Sequence, residues 1–160
     1  MIRALVISLI MMLYSCGKAP VAVPADNQNQ SNSNTTNNDN MPDHIKISVG
    51  GKSLTVAIED NNATKELLEV LRESSVSYEA NDYGGFEKVG DLGFSLPASD
   101  TRISTQPGDV ILYSGNQLVL FYGTNSWSYT RIGKMEYATL DELKSFLRAG
   151  QGNITVILSL

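Results

Sequence analysis

Apolar and polar residues alternate from residue 44 onward. Ile45, Ile47 and Val49 point one way, with Lys46 and Ser48 between them. Alternation resumes through Leu54, Val56 and Ile58, and Gly50-Gly51 between the runs is a two-residue turn signal, so residues 44–59 predict a β-hairpin. The period then lengthens. Asp60-Asn61-Asn62 offers helix caps, and Ala63, Leu67, Leu68 and Leu71 share one helical face opposite Lys65, Glu66, Glu69 and Arg72. Residues 75–79 read as a strand with Val76 and Tyr78 inward, and residues 101–104 as a short one. The stretch 106–109, Gln-Pro-Gly-Asp, is a turn. Residues 109–113 and 117–122 form a hairpin joined around Ser114-Gly115-Asn116. Their almost unbroken apolar runs imply strands covered on both faces. Residues 128–132 read as a further strand. Thr139 and Glu142 make a capping box for a helix over 139–149, with Leu140, Leu143 and Leu147 buried and Gly150 as its stop. An apolar strand, 153–160, needs neighbours on both edges. Many short strands with two helices predict a mainly β domain, a barrel or half-barrel capped by helices.

Two polar-aromatic stretches break this pattern. Residues 81–93, NDYGGFEKVGDLG, are too rich in glycine for a helix and too polar for a buried strand, and read as a shaped loop. Residues 125–134, NSWSYTRIGK, carry a similar mixture. The two are expected to line one cleft. Its candidate ligand-binding residues are Tyr83, Phe86, Glu87, Lys88, Ser126, Trp127, Tyr129 and Arg131. Aromatic rings supply contact area and the polar groups fix orientation. Of these, Phe86 reads as core, and Trp127 and Arg131 as facing a ligand, with Arg131 able to pair with Glu87 when no ligand is bound. The competing account is that the aromatics plug one end of a barrel and an Arg131–Glu87 pair ties two loops.

The first forty residues are of another kind. Arg3 precedes an almost wholly apolar run over 4–13, too short to span a bilayer, which has the layout of a secretory signal over residues 1–15. Leu13-Tyr14-Ser15-Cys16 resembles a bacterial lipobox, so Cys16 is expected to carry the acyl chains of a membrane anchor. Gly17, in place of aspartate, implies the outer membrane in a Gram-negative cell. Residues 16–42, rich in asparagine, glutamine and serine, read as a flexible tether. Its end-to-end distance would be roughly 25 Å. The folded domain is then residues 43–160, held in the cell envelope.

Chemistry narrows the function classes. Cys16 is the only cysteine and His44 the only histidine, which leaves no thiolate nucleophile, zinc set or Ser-His-Asp triad. No metal or cofactor is expected. The net charge is −5 with lysine and arginine scattered, so nucleic acid is not an expected partner. Asp82, Glu87 and Asp91 share one stretch, and paired carboxylates are the minimum for glycosidase chemistry. Carboxylates in such a stretch are more often turn formers.

The ordered set IKISVGGKSLTVAIEDNNATKELLEVL, DYGGFEKVGDLGFSLP, QPGDVILYSGNQLVLFYG and NSWSYTRIGKM resembles the bacterial cyclophilin-like domain family, over essentially all of 44–160. The resemblance implies a closed β-barrel of about eight strands with two α-helices. Many members are described by fold alone, and several are lipoproteins. True cyclophilins isomerise peptidyl-prolyl bonds with an arginine set among aromatic and amide side chains. This sequence has no Phe-His-Arg-like segment and no matching Phe-x-x-x-Gln, and Arg102 and Arg131 lack the motif around them. The reading is therefore a membrane-anchored, non-catalytic module that binds a small molecule or extended peptide. The alternatives are a prolyl isomerase with a rearranged site, in which Arg131 polarises the twisted amide, and a structural envelope protein.

Overall fold

The computed structural model describes residues 41–160. The signal segment, Cys16 and nearly all of the tether lie outside the described residues. Strands β1 (His44–Val49) and β2 (Lys52–Ile58) form the first hairpin. Gly50 and Gly51 turn it with φ of 56° and 80°, a left-handed pair that L side chains resist. Helix α1 (Asn62–Glu73) starts at Asn61, whose side chain accepts the Thr64 N–H while the Thr64 hydroxyl accepts the Asn61 N–H. The Asn61 amide also donates to the Arg131 carbonyl at 2.7 Å, which fixes the helix start on a distant strand.

The rest follows as β3 (Val76–Tyr83), β4 (Glu87–Asp91), β5 (Thr101–Ser104), β6 (Asp109–Tyr113), β7 (Gln117–Phe121), β8 (Ser126–Met135), α2 (Leu140–Phe146) and β9 (Ile154–Ser159). Eight of the strands close on themselves in the order β2-β1-β9-β3-β4-β7-β6-β8, with β8 returning to β2 through Val56↔Met135 and Ile58↔Gly133. This is a mainly β fold, a closed antiparallel barrel of eight strands with two helices. The ninth strand, β5, pairs only with the first part of β8. Strand β9 runs between β1 and β3, the two-sided pairing its apolar sequence required.

Alternation sorts the side chains into two clusters. The barrel core takes Ile45, Ile47, Val56, Val110, Leu112, Leu118, Leu120, Ile132, Val156 and Leu158, joined by Leu67, Leu68 and Leu71 of α1 and Leu143 and Leu147 of α2. The intervening residues Ile111, Val119 and Phe121 belong to a second cluster with Tyr129, against which Phe86, Val89 and Ile103 pack. The unbroken runs in β6 and β7 are buried on both faces for this reason.

Several local expectations change, among them Leu140, which is exposed rather than buried. Residues 81–93 are mostly hairpin rather than loop: Asn81–Tyr83 complete β3, Glu87–Asp91 form β4, and only the turn between them is irregular. Strand β8 runs ten residues and starts at Ser126. Helix α2 ends early, capped at Leu147, with Arg148 rather than Gly150 taking the first left-handed position at φ 49°. Glu142 reaches back to the Ala138 N–H instead of that of Thr139.

Candidate ligand site on the outer face of the barrel

The β3–β4 turn shapes one side of the site. Gly84 and Gly85 have φ of 61° and 77°, and Gly84 lies where any Cβ would run into the Phe86 ring. The Phe86 carbonyl accepts the N–H groups of Tyr122 and Gly123, both at 2.9 Å. Its ring stacks on Phe121 at 6.3 Å, with 7° between the planes. Phe86 therefore packs, partly buried, against the second cluster.

Beyond the turn, side chains on β4 alternate. Glu87 goes to the outer face and Lys88 to the inner one. Lys88 is fully buried, pairs with Asp82 at 2.8 Å and donates to the Gly152 carbonyl at 2.5 Å. Asp82 also accepts the N–H groups of Gly150 and Gly152 and the Tyr122 hydroxyl. Burial pushes the Asp82 carboxyl up, but the Lys88 bond, the two amides and Tyr122 outweigh it and hold its pKa at about 2. This clamp ties the β3–β4 hairpin to the α2–β9 connection.

On the outer face lies a cavity of about 420 Å³, lined by Tyr83, Glu87, Val89, Tyr113, Gln117, Val119, Asn125, Trp127 and Tyr129. Residues of 81–93 and 125–134 thus meet in one cleft. Tyr83 and Trp127 form its rim, 64% and 55% exposed. Tyr129 is held inside by edge contacts with Phe121 and Tyr113, at 5.9 and 6.0 Å, and its hydroxyl accepts from Asn125 at 2.9 Å. Asn125 is itself fixed by backbone exchange with Thr105. Ser126 bonds Ser104 of β5 across the strand pair and is not among the lining residues.

Glu87 is 7% exposed, and its Oε2 is buried with no hydrogen-bond partner. Burial raises its pKa to about 7. The expected Arg131–Glu87 pair does not form. A bulge sets Val110 opposite Gly133 and Ile111 opposite Arg131, so β8 spends one extra residue there. Arg131 and Lys134 both reach Asp109, at 2.8 and 3.1 Å, and Asp109 is 2% exposed. Arg131 is thus committed to the buried Asp109 and Lys88 to the partly buried Asp82, away from the cavity lining. Asp91 holds the Gly93 N–H and Asn116, and Asp82 holds Lys88, which leaves Glu87 as the one carboxylate in the lining. A pair of carboxylates across a cleft is therefore not what this cavity presents. Among the described residues, no group of three or more histidine, cysteine, aspartate or glutamate side chains is placed to hold a metal ion.

The sequence reading missed Val89, Tyr113, Gln117, Val119 and Asn125. For the valines a signal existed: they fall on the alternate positions of β4 and β7, opposite in phase to Leu118 and Leu120.

A closed barrel with a cleft on its outer face defines the class as cyclophilin-like. The chain belongs to the Cyclophilin-like family, whose family model matches residues 47–159. Two solved structures are similar to it. One is McbB in complex with tryptophan, at 17% identity and a TM-score of 0.51, covering 72% of this chain and 44% of McbB. The other is the hypothetical protein AF2241 from Archaeoglobus fulgidus, at 14% identity and a TM-score of 0.51, covering 74% of this chain and 95% of that one. At such identities the likeness is one of fold. The chain spans less than half the length of McbB. No curated protein matches the sequence.

Proposed function

We propose that this chain is a lipid-anchored, extracytoplasmic binding module that holds a small molecule or an extended peptide in the outer-face cavity and does no catalysis. The observation that carries the reading is the cavity itself: aromatic walls, a buried carboxyl on its floor and rigid strands beneath. The anchor rests on the sequence of residues 1–42. Among the described residues no helix is long and apolar enough to cross a membrane. Against an arginine-driven prolyl isomerase stands the position of Arg131, whose guanidinium is held by Asp109 while no arginine lines the cavity. The ligand of McbB, tryptophan, is a reasonable first titrant here, since the walls suit a flat ring.

Trp127 is the only tryptophan and sits on the cavity rim, so its emission reports occupancy. Titration with proline peptides and phenylalanine is expected to shift that emission saturably; calorimetry, which needs no tryptophan reporter, follows tryptophan itself and the Trp127→Ala variant, which should bind at least about tenfold more weakly while the fold persists. Cis–trans exchange of a proline peptide is expected to run at its uncatalysed rate. Acceleration that Arg131→Ala abolishes would replace the binding module with the isomerase. Emission unmoved by every addition would favour the structural role.

A further inference from the structure

A carboxylate cut off from water needs a partner, and the strands around Glu87 have given theirs away. Lys88, its neighbour on β4, is on the other face and paired with Asp82. Arg131 and Lys134 on β8 are both on Asp109. The lining holds no lysine, arginine, histidine or second carboxylate. The charge that would complete Glu87 has to come with the occupant.

Resting on the binding-module reading above, we infer that the cavity takes an organic cation, a primary ammonium on an apolar or aromatic stem, seated against the carboxyl group of Glu87 among Tyr83, Tyr113, Trp127 and Tyr129. Those four side chains suit a cation as they suit few other groups, because the faces of tyrosine and tryptophan rings are electronegative. Val89 and Val119 then meet the stem. An anion would meet the charge of Glu87 with nothing to offset it. A neutral alcohol would fill the same space and leave the carboxylate without its counter-ion. The raised pKa of Glu87 agrees with this assignment: a cation pulls the group to its ionised form and releases a proton on binding. Phenols are the other titratable groups close by. Burial raises the pKa of Tyr122 to about 12, with the Asp82 hydrogen bond and charge next and Glu87 least, and burial followed by the Glu87 charge raises that of Tyr129.

The test uses the full-length chain and three probes with one stem: phenethylamine, 2-phenylethanol and 3-phenylpropionate, followed by Trp127 emission and by calorimetry. The amine is expected to bind at least about tenfold more tightly than the alcohol, the weight of one charge-assisted hydrogen bond, and the carboxylate to bind most weakly. From pH 6 to pH 8 the ionised fraction of Glu87 rises from about a tenth to about nine tenths, so the affinity for the amine should rise about tenfold. Glu87→Gln should erase the advantage of the amine over the alcohol. The comparison of amine with alcohol is made on the unaltered protein, so it stands even if the variant folds poorly. Equal or tighter binding of the alcohol or the carboxylate overturns the inference and leaves the binding module standing. So does affinity for the amine that falls with rising pH, which would make Glu87 a protonated donor to a neutral ligand. If none of the three binds at millimolar concentration, the inference falls, and the binding module is then decided by the peptide and amino-acid titrations above.

Discussion

Two carboxyls with opposite perturbations set the pH response of this domain. Glu87 has a pKa of about 7 in the folded chain and near 4.5 unfolded. The folded state therefore holds its proton more tightly, and stability falls as pH rises from about 4.5 to 7, by about 3 kcal/mol. Asp82 is the reverse, about 2 folded against 3.8 unfolded. Its contribution, about 2 kcal/mol, is complete above pH 3.8 and is lost as pH falls through 2. Urea melts between pH 2 and 8 should show stability climbing to about pH 4 and declining above 4.5. Glu87→Gln should remove the decline and leave the acid limb unchanged. Asp82→Asn should do the opposite and more: it strips the counter-charge from a fully buried lysine, at a cost of about 3 kcal/mol. A melt at pH 7 that moved by less than a third of that would mean Lys88 finds relief elsewhere. None of this was legible in the sequence, where Glu87 and Lys88 read as neighbours on one shaped loop lining a cleft. Their opposite fates follow from strand alternation, which the glycines around them concealed.

The elements were more readable where period and turn chemistry agreed. The β1–β2 and β6–β7 hairpins, α1 and the two-sided pairing of β9 all follow from patterns that only one structure satisfies. The β3–β4 hairpin did not, because its turn and the close approach of Gly90 to β3 require glycine inside a paired region. This can be tested at the turn. Gly84→Ala faces both a left-handed φ and the Phe86 ring, whereas Gly85→Ala faces the φ alone in open space. The first should cost about 2 kcal/mol and the second about 1. Equal losses in thermal melts would show that the ring yields. The bulge in β8 was likewise invisible, since no residue pattern marks one extra residue in a strand, and it is what turns Arg131 toward Asp109. Arg131→Ala should therefore leave phenethylamine binding within about twofold, while Trp127→Ala weakens it, because only the tryptophan lines the cavity.

At the scale of the molecule, the barrel depends on pairings between distant parts of the chain. Strand β9 is the sole link between β1 and β3, and β2 meets β8 to close the ring. The sequence indicated strands that need two neighbours, and the family resemblance supplied the closed ring of eight; periodicity alone could not say which strands adjoin. Deletion of residues 154–160 would remove Ile154, Val156 and Leu158 from the core and open the barrel, so the shortened chain should lose its cooperative melt altogether. The proposed membrane attachment belongs to this scale as well. Cys16→Ser should move the protein from the pelleted to the soluble fraction, and continued pelleting would dismiss the lipid anchor.

Strands β6, β7 and β8 carry the barrel core on one set of positions and the cavity on the set between them, and β4 buries Lys88 on one face while Glu87 and Val89 line the cavity on the other. Point substitutions at Val89, Tyr113, Gln117 or Val119 can accordingly reshape what the cleft accepts while Leu112, Leu118 and Leu120 stay untouched. An insertion or deletion of a single residue in any of these strands has no such latitude. It would exchange the two sets at once, turning leucines out to water and a carboxyl in toward the core. Descendants of this chain can diversify by replacement along these strands, and must confine changes of length to the turns.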